Sequence, residues 1–467
     1  MLIQSGRSKN VRFKTAIGWQ VMIALVFGFV VSVGSVRGDD TSALENDPTI
    51  WAKGGIRDPE PPSQDDYRRK YEITYRSTLK TKSLNSASKE ILEKTIHYQM
   101  ALLCLHSNRH QRMSMFERIR TDLRNRDTSA EARTFILETV VKLAGRMMKE
   151  DSPELRLAAV RILGGLDVSS SPNVPYIGAS AQLLEVFKRD DSEIHLKALA
   201  AKGLGRILES GSPHLTLRVE IAEALAKEVR RLRKDHANFD KKTIVGYQWH
   251  MWHLVEALGS TQRTENLTGT LSFVEVLMEV LTDRSQDKLS RVRSARAISR
   301  LPLEGTTNME LINHEVVLLV VEMCHGYQAD TKWPYWDRAF TEVFITYDGF
   351  NATEIASKMG FRNQATKSGL NTAQASVNQA RDLMLPLIRT VVNAPQARPK
   401  LDPQSITELE TWAKGAVPAN RRVRANGEVF PVSAPAAAPM GTTPAPAVPM
   451  TSFRIPKRHN RSSASAI

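Results

Sequence analysis

Cysteine and the common catalytic motifs are scarce in this sequence. Its 467 residues include two cysteines, which excludes a small disulfide-rich scaffold. There is no glycine-rich phosphate loop, Cys-x-x-Cys, His-Glu-x-x-His or Gly-x-Ser-x-Gly, so the usual nucleotide, metal and hydrolase signatures are missing. Cys104 and Cys324 lie among apolar residues, which favours buried thiols, with one disulfide as the alternative. We expect no enzyme activity, no catalytic residue, no metal and no cofactor.

Basic residues outnumber acidic ones, but most of the excess lies at the two ends of the chain. The formal charge is +14, of which residues 1–38 contribute +5 and residues 394–467 contribute +6. The 355 residues between them contribute only +3. Because the central region is nearly neutral, the overall basicity does not indicate a nucleic-acid-binding protein.

An apolar segment near the N-terminus predicts export. Four basic residues from Arg7 to Lys14 precede the apolar run 16–36, and small residues that suit signal-peptidase cleavage lie at its end. The run is also long enough to span a bilayer uncleaved. We therefore expect residues 1–38 to be a signal peptide or a signal anchor, and residues 39–85 to be a linker. The protein is expected in the periplasm or outside the cell, with 16–36 as the candidate membrane contact.

The C-terminal region has the composition of a disordered tail. Of the 22 prolines, 11 lie in the last 74 residues, and segment 434–450 contains no charge. Such a segment buries too little apolar surface to offset the entropy lost on ordering. We expect residues 393–467 to be disordered and to end in a basic patch that either is simply solvated or contacts an anionic surface. The basic residues are Arg454, Lys457, Arg458 and Arg461.

Between residues 86 and 392 the sequence predicts helices in series, because apolar residues recur at three- and four-residue spacing. A frame also repeats: Leu155-Arg156-x-x-Ala159-x-x-x-Leu163-Gly164 recurs as Leu196-Lys197-x-x-Ala200-x-x-x-Leu204-Gly205. Partial matches end at Leu258-Gly259 and at Leu301-Pro302, with Arg293 matched to the basic position of the last frame. A helix is predicted before each frame, over 128–149, 179–189, 215–233 and 270–281.

This pattern, on the second helix of a pair of about 40 residues, resembles the HEAT and HEAT-like repeats. The resemblance is clearest over 128–302 and implies an all-α protein with an α-solenoid over 86–392. In such an array the small Ala lets paired helices approach, and the Gly can take the left-handed conformation that ends a helix. HEAT repeats usually bind other macromolecules, and the resemblance implies no chemistry.

Two aromatic clusters are the candidate partner-binding sites. His250 and His253 are three residues apart and are predicted on one helix face, but a metal site would need further ligands that the sequence does not indicate. The second cluster precedes a predicted helix over 337–347, where its rings are either exposed binding anchors or a buried seal at the end of the array. The candidate residues are Trp249, His250, Trp252, His253, Trp333, Tyr335 and Trp336.

The expected function is a non-catalytic interaction scaffold that binds a protein or peptide partner. Two alternatives stay open. One is an enzyme or a tetrapyrrole- or metal-binding protein similar to the HEAT-like lyases, supported only by His250 and His253 with their neighbouring tryptophans. The other is a solenoid that presents its basic tail to an anionic polymer, lipid or nucleic acid.

Overall fold

The computed structural model describes residues 55–57, 60–168, 174–235, 243–349, 359–393 and 397–431. The predicted signal segment 1–38 and the tail residues Arg454, Lys457, Arg458 and Arg461 lie outside the described residues. Within the described ranges the chain is helical, and strand-type pairing amounts to three isolated bridges. The predicted all-α class is confirmed.

The first helix, α1, consists of Gln64–Asp66 and Ile73–Leu79, joined by the π-helical turn Tyr67–Glu72. The helices that follow in the first half are α2 (Ser86–Cys104), α3 (Arg112–Arg124), α4 (Ala130–Met147), α5 (Pro153–Gly165), α6 (Ser180–Lys188), α7 (Ile194–Ser210) and α8 (Leu215–Asp235). Those of the second half are α9 (Ile244–Gly259), α10 (Phe273–Thr282), α11 (Lys288–Arg300), α12 (Met309–Ala329), α13 (Trp336–Asp348), α14 (Phe361–Gln364), α15 (Gln374–Asn393) and α16 (Pro403–Gly415). The four helices predicted before the repeated frames are α4, α6, α8 and α10.

Many helices begin where a short polar side chain accepts a hydrogen bond from a free backbone N–H of the first turn. Ser129 accepts from the N–H of Ala132, and Asp287 accepts from that of Ser290. Such caps satisfy donors that have no partner inside the helix. The other caps of this kind that begin α2, α10, α12 and α16 are Asn85, Ser272, Asn308 and Asp402.

From α4 onward the helices alternate between two layers. In the second layer α5 packs against α7, α7 against α9, α9 against α11, and α11 against α13. In the first layer α8 packs against α10 and α10 against α12, while α6, α8 and α10 each pack against the helix that follows them in the chain. One continuous apolar core runs between the layers. This order is compatible with an α-solenoid.

None of the frame glycines Gly164, Gly205 and Gly259 has a positive φ angle, which corrects the prediction that they take the left-handed conformation, although Gly164 and Gly259 do stand in the last turn of α5 and α9. Positive φ angles among the described glycines occur only at Gly269, Gly349, Gly360 and Gly369. The frame glycines instead lie where second-layer helices approach most closely. Glycine suits these positions because any side chain there would meet the neighbouring helix. The close contacts are Gly164 with Gly203, Gly205 with Ala257, and Gly259 with Ala297.

In the first and fourth frames a basic residue binds the end of the preceding helix, whereas Lys197 of the second frame lies 3.9 Å from Glu228 of α8, the helix that follows. Arg156, in the first turn of α5, donates to the backbone oxygens of Glu150 and Asp151, just beyond α4. Arg291, at the same place in α11, donates to the backbone oxygen of Leu281 in α10. Carbonyls at and just beyond a helix C-terminus have no partner within that helix. The basic residue of the fourth frame is therefore Arg291, whereas the sequence alignment had matched Arg293.

The described part of the predicted disordered tail, residues 397–431, is ordered, which corrects that prediction. Helix α16 packs against α12 and α15, with Leu409 fully buried. The following segment, 416–431, is here called the strap. In it Arg421 donates to Glu315 of α12 at 2.6 Å, and Arg424 donates to Glu275 of α10 at 3.1 Å. Composition alone misses this order because the partners lie more than a hundred residues away in the sequence.

The predicted linker 39–85 also contains structure. Helix α1 lies within it and buries Tyr75 and Leu79. The Tyr75 hydroxyl donates to Asp122 of α3 at 3.0 Å. The helix is held by contacts with α2 and α4 rather than by a strong pattern of its own, and Ile56 and Leu84 on either side of it are buried in the same core.

Candidate functional site

The second layer brings the two predicted aromatic clusters together. Trp252 of α9 lies edge-to-face with Tyr335, with ring centroids 5.6 Å apart. Tyr335 meets Trp333 at 5.6 Å, and Trp333 meets Trp336 of α13 at 4.6 Å, again edge-to-face. Edge-to-face packing of this kind is favourable because the positive edge of one ring meets the negative face of the next. Trp252, Tyr335, Trp333 and Trp336 are here called the aromatic row.

Members of the aromatic row differ in exposure. Trp336 is buried against Tyr327 and Phe340, and its indole N–H donates to the backbone oxygen of Asp330 at 2.7 Å. Tyr335 is 38% exposed, and Trp333 and Trp252 are partly exposed. Trp336 therefore seals the packing, while the other three rings reach the surface.

The two histidines of α9 have different surroundings. His250 is fully buried, neither ring nitrogen has a hydrogen-bond partner, and Phe187 packs edge-on against it. Burial lowers the pKa of His250 to about 3. His253 is partly exposed and lies edge-to-face with Trp249 at 4.8 Å, and burial lowers its pKa to about 4. Both imidazoles are neutral at pH 7.

Neither histidine belongs to a recognisable metal centre in the described ranges, where no group of three or more His, Cys, Asp or Glu side chains is placed to hold an ion. Cys104 and Cys324 are both buried and unbridged, as the sequence indicated. No described helix combines the length and the apolar character needed to cross a bilayer.

Sequence reasoning missed a row of arginines beside the aromatic row. Arg293, Arg296 and Arg300 follow one another on α11 at spacings of three and four residues, which places them on one face. They are here called the arginine row. The signal was available, since α11 contains five basic residues and no acidic one. Such a helix needs counter-charges from its neighbours.

Glutamates of three neighbouring helices supply those counter-charges. Arg296 pairs with Glu342 of α13 at 2.8 Å, and Arg300 pairs with Glu209 of α7 at 2.6 Å. Arg293 lies 3.9 Å from Glu256 of α9 and 4.0 Å from Glu342. The Glu342 side chain is only 8% exposed, whereas those of Glu256 and Glu209 are 49% and 53% exposed.

The arginine row and the aromatic row touch at Trp252. The guanidinium carbon of Arg293 lies 5.2 Å from the Trp252 ring centroid, a cation–π distance. The Trp252 indole N–H donates to Asp287, the cap of α11, at 3.2 Å. Burial, together with the nearby charge of Arg338, lowers the pKa of Arg293, which still stays protonated because a guanidinium is among the strongest bases in proteins.

Several clefts open on the described surface, and two of them differ in how close they lie to the arginine row. A small one of about 120 Å³ lies beside the arginine row and is lined by Lys202, Glu209, His253 and Glu256. A larger one of about 730 Å³ lies between α4 and α6, lined by apolar residues such as Val141 and by charges of both signs. No sequence-predicted site residue lines the larger cleft.

Comparisons of the chain with protein-family models, with curated proteins and with solved structures found no match. The function is therefore argued from the side chains of the second layer. They combine partly exposed aromatic rings, a row of arginines that is largely screened from water, and glutamates that hold those arginines in place.

Proposed function

We propose that this protein is a non-catalytic scaffold of HEAT-like helix pairs whose second layer binds a protein or peptide partner. The supporting observation is the junction of the aromatic row and the arginine row across α9, α11 and α13. Tryptophan, tyrosine and arginine are the residue types that contribute most to binding at protein interfaces.

The geometry also favours binding because the anchors are already ordered. Trp252 is fixed by its hydrogen bond to Asp287, and Trp336 by its hydrogen bond to the backbone of Asp330. Tyr335 lies between Trp252 and Trp333. A partner that docks on fixed rings loses less side-chain entropy than one that must order them.

Two further elements of the proposal come from the sequence. Residues 1–38 direct export, to the periplasm or outside the cell, by cleavage or as an anchor. Beyond the strap, Arg454, Lys457, Arg458 and Arg461 supply a secondary contact with an anionic surface. The described region ends at Pro431 on the strap, so a deletion that tests the tail should begin at residue 432.

The test is affinity capture with the full-length protein from the envelope of its own cells. We expect one stoichiometric partner to be recovered by the native chain and by a chain lacking 432–467. Tyr335→Ala should lose that partner. Leu215→Ala, which removes another exposed side chain on α8, should retain it. Recovery of background proteins alone, or equal recovery by Tyr335→Ala, would contradict the proposal.

A further inference from the structure

We infer that the exposed side of α1, with the adjoining part of α3, is a docking surface for a membrane that contains anionic lipid. Arginines of this surface pair with lipid phosphates, and Ile73 enters the bilayer. The surface belongs to α1 and α3 rather than to the helices of the aromatic and arginine rows, so the inference goes beyond the proposed function. It rests on the unpaired charges of the two helices and on the exposure of Ile73.

The basic excess of the folded body is concentrated in its first helices. Residues 60–127, which are described throughout, contain 14 basic and nine acidic residues. That is an excess of five, whereas the whole central region of 355 residues has an excess of three. Charge of one sign that is concentrated in one part of a nearly neutral body attracts partners of the opposite sign.

Three arginines of α1 are exposed and unpaired. Arg68, Arg69 and Arg76 lie on the outside of the helix, and none of them forms an ion pair with a described carboxylate. Lys70 differs, because it pairs with Asp66 at 2.8 Å. The three guanidinium groups are therefore open to an outside anion, and phosphate is an anion that a guanidinium binds with two parallel donors.

Fewer acidic groups lie near these arginines. The exposed acidic residues of α1 are Asp65 and Glu72. Asp122 of α3 faces α1 and already accepts the hydrogen bond of the Tyr75 hydroxyl at 3.0 Å. Arg118, four residues earlier and on the same face of α3, is exposed and has no ion pair with a described residue. The four unpaired arginines are here called the basic face and are Arg68, Arg69, Arg76 and Arg118.

An apolar side chain projects from the middle of the basic face. Ile73 is 80% exposed, the largest exposed fraction among the large apolar side chains of the described residues. Arg69 lies four residues before it and Arg76 three residues after it, which places all three on one side of the helix. This arrangement suits the boundary of a bilayer, because the apolar side chain enters the acyl region while the guanidinium groups stay with the phosphates.

The opposite side of α1 is fixed to the body, so the basic face has a defined direction. Tyr75 and Leu79 are buried, and Tyr67 stacks on Tyr98 of α2 with ring centroids 4.2 Å apart. These contacts keep Ile73 on the outside. A bilayer therefore meets a helix that is already ordered, and binding does not include the entropy loss of ordering it.

A nucleic acid fits the basic face less well. Single strands bind where aromatic ring faces are free to stack with successive bases. Tyr67 uses a ring face on Tyr98, and Tyr75 is buried. A phosphate backbone also offers no apolar medium to Ile73. We therefore treat nucleic acid as an outcome that would overturn the inference.

The test uses the full-length protein with Ser77→Cys, an exposed position one turn beyond Ile73, labelled with an environment-sensitive dye. Cys104 and Cys324 are buried, so the dye attaches to the added thiol. We expect the dye emission to shift to the blue with vesicles of phosphatidylcholine and phosphatidylglycerol, and not with phosphatidylcholine alone. Leu215→Cys on α8, labelled in the same way, should show no shift. The dye reports contact at α1, whichever other segment also binds the vesicles.

Charge removal measures what the arginines contribute. Replacing the three arginines of α1 together by Gln should raise the lipid concentration needed for half of the shift by about a hundredfold, because each basic residue near an anionic surface contributes about fivefold. The control replaces three exposed basic residues of α5, α8 and α15 by Gln, which are Arg161, Lys227 and Arg389. It should change that lipid concentration by less than about twofold, since charges beyond a Debye length are screened.

Two variants of Ile73 separate lipid contact from folding. Ile73→Ala should raise the same lipid concentration by about fivefold, whereas Ile73→Leu, which keeps the apolar area, should leave it unchanged. Absence of a shift, an equal shift with phosphatidylcholine alone, equal effects of the two arginine and control triple variants, or a larger shift with a single-stranded oligonucleotide would each overturn the inference. Capture of a partner that depends on Tyr335 would then still support the proposed function.

Discussion

Helix α11 contacts α9 on one side and α13 on the other, and the two contacts differ in chemistry. Toward α9 the closest backbone approach is made by small residues, since a side chain added at Gly259 would lie 2.7 Å from the Cα atom of Ala297, and Arg293 adds contacts with Trp252 and Glu256. Toward α13 the contact is made by Arg293 and Arg296 with Glu342. The first contact fixes the distance between helices. The second places charged groups at the layer surface.

The two contacts differ in what they cost the folded protein. Contact between small residues needs no desolvation of charge. Burying an ion pair costs several kcal/mol of desolvation per ion, so well-packed apolar residues of similar volume would often be as stable. We therefore propose that the charged groups of α11 serve recognition and that its small residues serve the packing of the helices.

The largest expected effect comes from removing the shared carboxylate. Glu342→Gln leaves Arg293, Arg296 and Arg338 without their buried counter-charge, so we expect the free energy of unfolding to fall by about 3 kcal/mol. Urea denaturation measures this fall. Glu256→Gln, at a half-exposed carboxylate, should change it by less than about 0.5 kcal/mol. Equal effects of the two variants would remove the distinction between the buried and the exposed counter-charge.

On the side of α11 that faces α9, adding a single methyl group should lower the free energy of unfolding. Gly259→Ala places a methyl group against Ala297, and we expect a loss of about 2 kcal/mol by overpacking. Gly165→Ala is the matched control, because nothing lies within 4 Å of its added carbon. It should be neutral or slightly stabilising, since alanine favours helix more than glycine does. If both variants behave alike, close packing does not define this contact.

Stability should also depend on pH through His250 of α9. The pKa of His250 is lowered to about 3 by burial, whereas in the unfolded chain it is about 6.5. Between these values the unfolded state binds a proton that the folded state does not, so stability falls as the pH drops from about 6.5 toward 3. The fall is about 1.4 kcal/mol per pH unit.

His250→Leu removes this titrating group and its two unpartnered nitrogens. The slope of unfolding free energy against pH, measured by urea denaturation between pH 6.5 and 5, should become smaller by up to about 1.4 kcal/mol per pH unit. An unchanged slope would mean that water or another group reaches the imidazole in the folded state.

The smallest effect is expected at the surface. Tyr335→Ala removes a ring that is 38% exposed, so we expect the unfolding free energy to fall by about 1 kcal/mol or less. Thermal unfolding beside Leu215→Ala measures the difference. A fall as large as that of Glu342→Gln would show that the aromatic row is needed for folding and weaken the case for a binding role.

Local patterns predicted much of the helical body. The stretch predicted over 128–149 is α4, and its bounds differ by two residues at each end. Ala159, Ala200 and Ala297 of the repeated frame are all buried. These features follow from periodicity along the chain, which a sequence displays directly.

Features that depend on distant partners were not predicted. The order of the strap requires Glu275 and Glu315, and the role of the frame glycines requires the neighbouring helix of the second layer. The contact between Trp252 and Tyr335 likewise forms only when α9 and α13 flank α11. A single sequence displays each half of these pairs without indicating that they meet.

The strap and α16 cover apolar surface that would otherwise be open. Stacked helices have no intrinsic end, and an uncovered last helix offers apolar surface to another molecule. Here α16 packs against α12, and Val423 and Phe430 of the strap are buried. Another molecule that used this surface of α12 would have to displace sequence that is covalently attached to it.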